Sequence, residues 1–235
     1  GCLYFLSENA VNQLATSFPS IGTKVFLENY SGGIRALYLN EFDFQKSKTH
    51  EESYKAEVVE EEHWKGVKFM FESKQQEEIE GIVGAVSYLT LPFSNVVKIK
   101  RKFWNPTLAS FKLDSCLWIS PNVGGSFEKN EVIFPRDDRV FRFKRAEGFA
   151  VSGVQPERGW VLVTNREKKL GLGIVAGNTD KSTILSLDLG KTMLELFVMS
   201  RIQLQPEESC ELEDYAILSS GEHESMDKLA EALRT

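Results

Sequence analysis

Short runs in which apolar and polar residues alternate recur along almost the whole chain, and they limit what it can fold into. In KVFLE, Val25 and Leu27 point to the same side of an extended strand. In VKFMFES, Val67, Phe69 and Phe71 do the same. A period of two is typical of strands with one buried and one solvated face. The pattern therefore predicts a protein built mainly from half-buried strands.

Turn signals separate these runs, among them YSGG, SPNVGG, PERG, NREKK and AGNTD. Gly, Pro, Asn and Asp are frequent in turns because each tolerates or favours backbone geometry that strands do not use. Many strands at short spacing indicate an antiparallel sandwich, not a βαβ sheet. A chain of 235 residues suits one large all-β domain, and we predict a single domain over residues 1–235.

Two stretches have helical patterns. AVNQLATSF (10–18) has a weak amphipathic pattern, and ESMDKLAEALR near the C-terminus has a stronger one, with Ser225 as its N-cap. The apolar residues of the second stretch recur at helical spacing: Met226, Leu229, Ala230 and Leu233. We predict a sandwich core over 21–220, with 221–235 forming a helix that packs on it or leads into a further domain.

The locally basic run VVKIKRKFW (96–104) alternates, and this predicts a strand with two different faces. One face carries Val97, Ile99, Arg101 and Phe103, and the other carries Lys98, Lys100, Lys102 and Trp104. The net charge of -6 and the pI near 5.3 argue against a nucleic-acid partner. The acidic segments 57–66 and 73–81 are predicted to be solvated loops or edge strands.

The three cysteines, Cys2, Cys116 and Cys210, are widely spaced and form no Cys-x-x-Cys pair. This argues against a zinc knuckle and a redox dithiol, so we predict free thiols, with Cys116 buried in an apolar run. Free thiols favour a cytoplasmic location, although an extracellular chain without disulfides fits them too.

No run approaches the roughly 18 apolar residues of a membrane span, and GCLYFL lacks the basic flank of a signal peptide. We therefore predict no membrane partner. The chain begins with Gly and not with Met, which favours an excised piece of a longer protein. We predict no metal or cofactor, and Asp137 and Asp138 in PRDDR are interpreted as a turn in preference to a calcium site.

Four segments carry a family resemblance through their order. They are GGIRALYLN (32–40), NVVKIKRKFWNPTLASFKLDSCLWISPNVGG (95–125), RGWVLVTNREKKLGLGIVAG (158–177) and LELFVMSRIQLQPEESCELEDYAILSS (194–220). Together they resemble the galactose mutarotase-like β-supersandwich family. The resemblance implies a large antiparallel β-supersandwich with a short C-terminal helix, in which the last segment is a closing hairpin.

That family includes aldose epimerases and accessory domains of glycoside hydrolases and polysaccharide lyases. Its epimerases use a carboxylate and histidines as acid and base, and histidine suits this because it titrates near neutrality. Of the three histidines here, His50 and His223 lie in polar segments, and only His63 is a weak catalytic candidate. For a hydrolase, the weak carboxylate candidates are Glu147, Glu157 and Asp214.

A carbohydrate-binding surface needs aromatic rings that stack on sugars and polar groups that bind hydroxyls. Trp118 lies in an apolar run and is predicted to be core. The predicted binding residues are Trp64, Arg101, Trp104, Asn105, Glu157, Arg158 and Trp160.

The sequence therefore favours a non-catalytic carbohydrate-recognition or accessory domain. Its partners would be a carbohydrate ligand and a catalytic domain in the same longer chain. An aldose epimerase-like or glycosidase-like enzyme is the first alternative, and a structural or protein-interaction domain is the second.

Overall fold

The structure is a computed structural model. It describes most of the chain from residue 52 onward and, before that residue, four strands. The described residues are 3–8, 11–18, 23–27, 33–40, 52–75, 77–92, 94–121, 123, 129–144, 151–178, 183–189, 194–219, 223 and 225–235. The predictions for Cys2, His50 and Glu147 concern residues outside these ranges, and the side chain of Trp118 lies outside the description too.

Strands make up nearly all of the described secondary structure. In chain order they are β1 (Leu3–Glu8), β2 (Val11–Phe18), β3 (Thr23–Leu27), β4 (Gly33–Asn40), β5 (Lys55–Glu61), β6 (Trp64–Glu72), β7 (Val83–Thr90), β8 (Val96–Trp104), β9 (Phe111–Ser120), β10 (Asn130–Arg136), β11 (Arg139–Lys144), β12 (Val151–Val154), β13 (Trp160–Asn165), β14 (Leu170–Ala176), β15 (Thr183–Leu189), β16 (Leu194–Leu204) and β17 (Ser209–Ser219). A short 3-10 turn lies at Glu77–Ile79, and helix α1 spans Met226–Arg234.

The strands form three sheets in which the paired strands are antiparallel. The largest has nine strands in the order β11-β10-β13-β14-β17-β8-β7-β6-β5. A five-stranded sheet has the order β12-β15-β16-β9-β4, and a three-stranded sheet has the order β1-β2-β3. The prediction of an all-β, large antiparallel β-supersandwich with a short C-terminal helix is confirmed.

The prediction of a helix over 10–18 is wrong, because Val11–Phe18 forms strand β2. Strand β2 pairs with β1 on one side and with β3 on the other. An isolated short helix is only marginally stable, so backbone hydrogen bonds to two neighbouring strands can outweigh a weak amphipathic pattern.

The predicted closing hairpin at 194–220 is also wrong. Strand β16 belongs to the five-stranded sheet and β17 to the nine-stranded sheet, so the turn between them crosses from one sheet to the other. Strands β8 and β9 are divided between the same two sheets. The hairpin predicted at 158–177 does form, because β13 pairs directly with β14.

The core lies between the nine-stranded and five-stranded sheets. Strand β8 follows its predicted alternation: Val97, Ile99 and Phe103 are buried in this core, whereas Lys102 and Trp104 are exposed. The main cluster draws residues from both sheets, for example Val163 and Leu172 from the larger and Leu117, Leu196 and Val198 from the smaller.

Arg101 lies within this core, although it is charged, and it is 0% exposed. Its Nη2 donates to Asp214 Oδ2 on β17 (2.5 Å) and its Nη1 donates to Ser115 Oγ on β9 (2.8 Å). Asp214 also accepts a hydrogen bond from the Gly177 amide (3.2 Å). Because β9 belongs to the opposite sheet, Arg101 joins the two layers. A buried charge is tolerated when it is paired in this way.

Helix α1 packs on the outer face of the nine-stranded sheet, which faces away from the core. Met226 and Ala230 are buried there with Trp160, Val175 and Ile217. The prediction of a helix in this segment is confirmed, and it packs on the sandwich. Ser225 occupies the N-cap position, but its side chain makes no cap hydrogen bond. Tertiary packing therefore does more than the predicted cap to hold the helix.

The two acidic segments differ from each other. Segment 57–66 includes most of β5, which is the edge strand of the nine-stranded sheet, as predicted. Segment 73–81 contains the 3-10 turn, whose Ile79 is 0% exposed and packs with Phe71 and Ile82. That segment is therefore anchored in the core and is not a fully solvated loop. In the described part of the chain, no helix has the length and apolar character needed to cross a membrane.

We expect Asp214→Ala to lower the free energy of unfolding by about 3–5 kcal/mol, because it leaves the Arg101 charge buried and unpaired. Urea denaturation measures this change. The control is Asp114→Ala, which removes an ion pair to the mostly exposed Arg201 and should change stability little. A second variant, Arg101→Met with Asp214→Leu, should recover much of the loss. Equal stability of wild type and Asp214→Ala would contradict this role.

Burial raises the pKa of the Cys116 thiol to about 12, and Cys116 is 0% exposed. The thiolate is the reactive form, so almost none is present at pH 8 in the folded protein. We expect Cys116 to resist a thiol reagent at pH 8 until the chain is unfolded, and to react more slowly than the half-buried Cys210. Mass spectrometry of labelled peptides measures both rates. Fast native labelling of Cys116 would show that this part of the sandwich opens.

Candidate functional site

Helix α1 covers only part of the outer face of the nine-stranded sheet, and an open depression of about 360 Å³ lies over β6, β7 and β8. We call it the Trp104 groove. Its lining residues are Lys68, Met70, Val83, Gly84, Ala85, Lys102, Trp104 and Ser209. The groove combines one large aromatic ring, two lysines and a floor of small or apolar residues.

Trp104 is 42% exposed because its strand position directs it outward and its neighbours are small. In the sheet register it lies opposite Val83 on β7 and Ser209 on β17. Neither side chain is large enough to cover an indole ring. An exposed indole offers an apolar surface on which the face of a sugar ring can stack.

A network of ion pairs borders the groove. Lys68 Nζ lies 3.0 Å from Glu57, and Lys100 Nζ lies 2.8 Å from Glu61 and 3.0 Å from Glu211. Burial lowers the pKa of Lys100, but hydrogen bonds and attraction from Glu61 and Glu211 outweigh this and raise the pKa above its ordinary value. Lys100 therefore stays charged and holds both carboxylates in place.

Trp64 lies at the start of β6 and is half-buried. Lys98 Nζ sits 4.8 Å from the centre of its ring, and other atoms of Trp64 pack against the cluster beneath α1. A cation already occupies a face of this ring. Trp64 is thus less open to a sugar than Trp104.

Two predicted sugar-binding residues, Arg101 and Asn105, are each 0% exposed. Asn105 Nδ2 donates to the carbonyls of Ala109 (2.7 Å) and Gln205 (3.0 Å), and its Oδ1 accepts from the Thr107 amide (3.0 Å). It joins the β8–β9 connection to the β16–β17 turn. Both residues are removed from the candidate surface by burial, and Asn105 instead fixes the chain directly after Trp104.

Trp160, another predicted sugar-binding residue, is 1% exposed beneath α1 and is therefore not available to a ligand. Its Nε1 donates to Asp227 Oδ1 (2.7 Å), and Arg158 Nη1 donates to Asp227 Oδ2 (2.7 Å). Glu157, Arg158 and Trp160 come together in a depression of about 450 Å³ beside the helix. Their observed contacts hold the helix and a neighbouring turn, since Glu157 Oε2 accepts from the Asp137 amide (2.9 Å).

The candidate catalytic residues lie in separate parts of the fold. His63 is exposed in the β5–β6 turn, Glu157 is exposed in the β12–β13 connection, and Asp214 is paired in the core. His223 Nδ1 lies 2.8 Å from Arg142 Nη2 near the start of α1. These residues do not converge on one depression.

The segment PRDDR forms the turn between β10 and β11, as predicted. Asp137 and Asp138 have positive φ angles of 51° and 57°, which suits a tight hairpin turn. No group of three or more His, Cys, Asp or Glu residues that could hold a metal occurs within the described ranges.

The sequence pointed to Trp104 but missed most of its surroundings. Alternation along β8 places Lys102 on the same face, so this residue could have been found. Met70, Ala85 and Ser209 could not, because they come from other strands and reach the groove only through the sheet register.

No family model matches the chain, and no curated protein matches its sequence. Among solved structures, the chain resembles the α-N-acetylgalactosaminidase NagBb from Bifidobacterium bifidum in its Gal-NHAc-DNJ complex. That match has a TM-score of 0.70 and 12% identity, and covers 98% of this chain and 36% of that chain. A GH36 α-galactosidase from Geobacillus stearothermophilus, in complex with stachyose, matches with a TM-score of 0.53 and 12% identity over 98% and 37%.

A TPR-domain containing protein from Parabacteroides distasonis matches with a TM-score of 0.64 and 12% identity, over 90% of this chain and 44% of that chain. The chain thus spans less than half the length of each of these three proteins. At such low identity the likeness shows a shared fold and nothing finer.

We expect Asp227→Ala to lower the free energy of unfolding by about 1–2 kcal/mol, because the buried Trp160 Nε1 loses its acceptor. Amide hydrogen exchange should also become faster in α1. The matched control is Lys228→Ala, an exposed position on the same helix, which should change neither quantity much. Unchanged exchange in Asp227→Ala would show that this hydrogen bond does not hold the helix.

Proposed function

We propose that the chain is a non-catalytic carbohydrate-recognition or accessory domain of a carbohydrate-active protein. The single observation that carries this proposal is the Trp104 groove, where an exposed indole stands beside lysines and a hydroxyl. Sugar sites combine these features, since a ring stacks on the sugar and polar groups bind its hydroxyls. Ser209 and Lys102 flank the ring and supply such groups.

The fold comparisons support a carbohydrate context. Two of the similar proteins are glycosidases by name, and this chain matches little more than a third of each. The remaining length of those enzymes supports a catalytic partner domain in the same longer chain. We further propose that residues 1–235 form one domain beside it.

The arrangement of acids and bases favours binding without chemistry. General acid–base catalysis requires two groups that reach the same substrate. Of the described candidates, His63 lies on the β5–β6 hairpin turn and Glu157 lies on the connection between β12 and β13. Asp214 lies in the core. An epimerase-like or glycosidase-like enzyme remains the alternative, and the same experiment tests it.

The test is saturation-transfer proton NMR with a panel of reducing mono- and oligosaccharides. We expect saturation of the sugar protons with the wild-type protein and at least a tenfold weaker affinity for Trp104→Ala, because the stacking surface is lost. The control is Val58→Ser, since Val58 is 87% exposed on the edge strand and is directed away from the groove.

Two outcomes would contradict the proposal. If binding is the same in Trp104→Ala as in wild type, the groove is not the sugar site. If the protein accelerates exchange between the anomeric signals, it is an epimerase and the non-catalytic role is wrong.

A further inference from the structure

We propose that the saccharide bound in the Trp104 groove is anionic, and that Lys55 and Lys102 bind its carboxylate or sulfate groups. This inference rests on the proposed function, because it names the class of sugar that the same groove would take.

Most lysines on and around this part of the sheet have a carboxylate partner. Lys68 pairs with Glu57, and Lys100 pairs with Glu61 and Glu211. The remaining pairs are Lys65 with Glu60 (3.0 Å), Lys74 with Glu72 (3.2 Å) and Lys98 with Glu213 (3.6 Å). The charges of these lysines are therefore balanced within the protein.

Lys55 and Lys102 differ from them, because neither has a carboxylate within 4.0 Å among the residues that the structure describes. The acids that could pair with them are already engaged. Glu211 lies opposite Lys102 in the register but contacts Lys100. Glu57 is two residues from Lys55 on the same face of β5 but contacts Lys68. Two exposed ammonium groups are thus left for a ligand.

The nearby acid Glu52 is engaged as well. Its Oε1 accepts hydrogen bonds from the amides of Lys74 and Gln75, each at 2.8 Å. Glu52 is 8% exposed, so it presents little negative charge to the groove. Glu72, the other acid that lines the depression around Lys55, pairs with Lys74. Among the described residues, Lys55 and Lys102 are therefore the lysines of this part of the face that keep no carboxylate partner, although the chain as a whole carries -6.

The two lysines lie on one line across the sheet. Register pairs Lys55 with Met70, Met70 with Ala85, and Ala85 with Lys102. Three strand spacings of about 4.8 Å separate their Cα atoms by about 14 Å. Met70 and Ala85 form an apolar floor between them, and Trp104 stands two residues beyond Lys102 on β8.

A second depression extends the first. It has a volume of about 440 Å³, is lined by Lys55 among others, and shares Met70 and Val83 with the Trp104 groove. The two together form a trough from Lys55 to Trp104 across the strands. An extended saccharide would stack one ring on Trp104 and place its acidic groups near the two lysines, where charge-assisted hydrogen bonds form.

The experiment compares a galacturonate trisaccharide, its fully methyl-esterified neutral form, and a sulfated galactose trisaccharide, by isothermal titration at 20 and 200 mM NaCl. We expect an anionic trisaccharide to bind at least tenfold more tightly than the neutral one at 20 mM NaCl. This preference should shrink at 200 mM, because salt screens exposed charges. The carboxylate and sulfate arms show which acidic group is preferred.

The test variant is a double substitution, Lys55→Gln with Lys102→Gln. The matched control is Lys112→Gln, which removes an exposed lysine from β9 in the other sheet. The double variant should lose the preference for the anionic sugar, so that it binds the anionic and the neutral trisaccharides with equal affinity. The control should behave as wild type. Circular dichroism confirms that each variant is folded.

The outcomes separate the two proposals. The neutral sugar could bind with the same affinity as the anionic sugars, and this binding could depend on Trp104. That result would overturn the anionic preference and leave the recognition role in place. If no sugar binds, or if Trp104→Ala weakens the binding of none of them, both the recognition role and the anionic preference are overturned. Tight binding of poly-glutamate that depends on the lysines but not on Trp104 would show a general anion surface and overturn this inference.

Discussion

The fold depends on one buried arginine, Arg101, which forms an ion pair within one of the two main layers and a hydrogen bond to the other. Arg101 and Asp214 both belong to the nine-stranded sheet, and Arg101 also reaches Ser115 in the five-stranded sheet. Around them, one apolar cluster contains Ile99 and Leu117, and another contains Phe103 and Leu113. A charge of this kind can be buried only where its partners stand at set positions, so it specifies how the two sheets face each other.

The crossing connections are tied together close to that contact. Strands β8 and β9 lie in opposite sheets, and so do β16 and β17. Asn105 binds both connections, because its side chain reaches Ala109 and Gln205 while its backbone pairs with Glu207 and Glu208. Backbone groups that leave a sheet need new partners, and Asn105 supplies several at once. The same residue holds the end of β8, from which Trp104 projects.

The outer face of the nine-stranded sheet is divided between two roles. Helix α1 buries the apolar part over Trp160, Val175 and Ile217. The part over β5 to β8 carries paired charges and the Trp104 groove. The helix thus covers the apolar half of this face, and the half left in contact with solvent is the polar one, where we propose the ligand binds.

Sequence periodicity alone determined that the chain is an antiparallel β-protein, that β8 has two different faces, and that Met226–Arg234 is helical. These properties follow from the local order of side chains, because strands and helices impose periods of two and 3.6 residues. The prediction from periodicity failed at 10–18, where pairing with two neighbouring strands overrides a weak helical pattern. Only the tertiary structure decided which strands are neighbours. That choice buried Arg101, Asn105 and Trp160, left Trp104 open, and brought Lys55 into line with Lys102, because sheet register joins residues far apart in the chain.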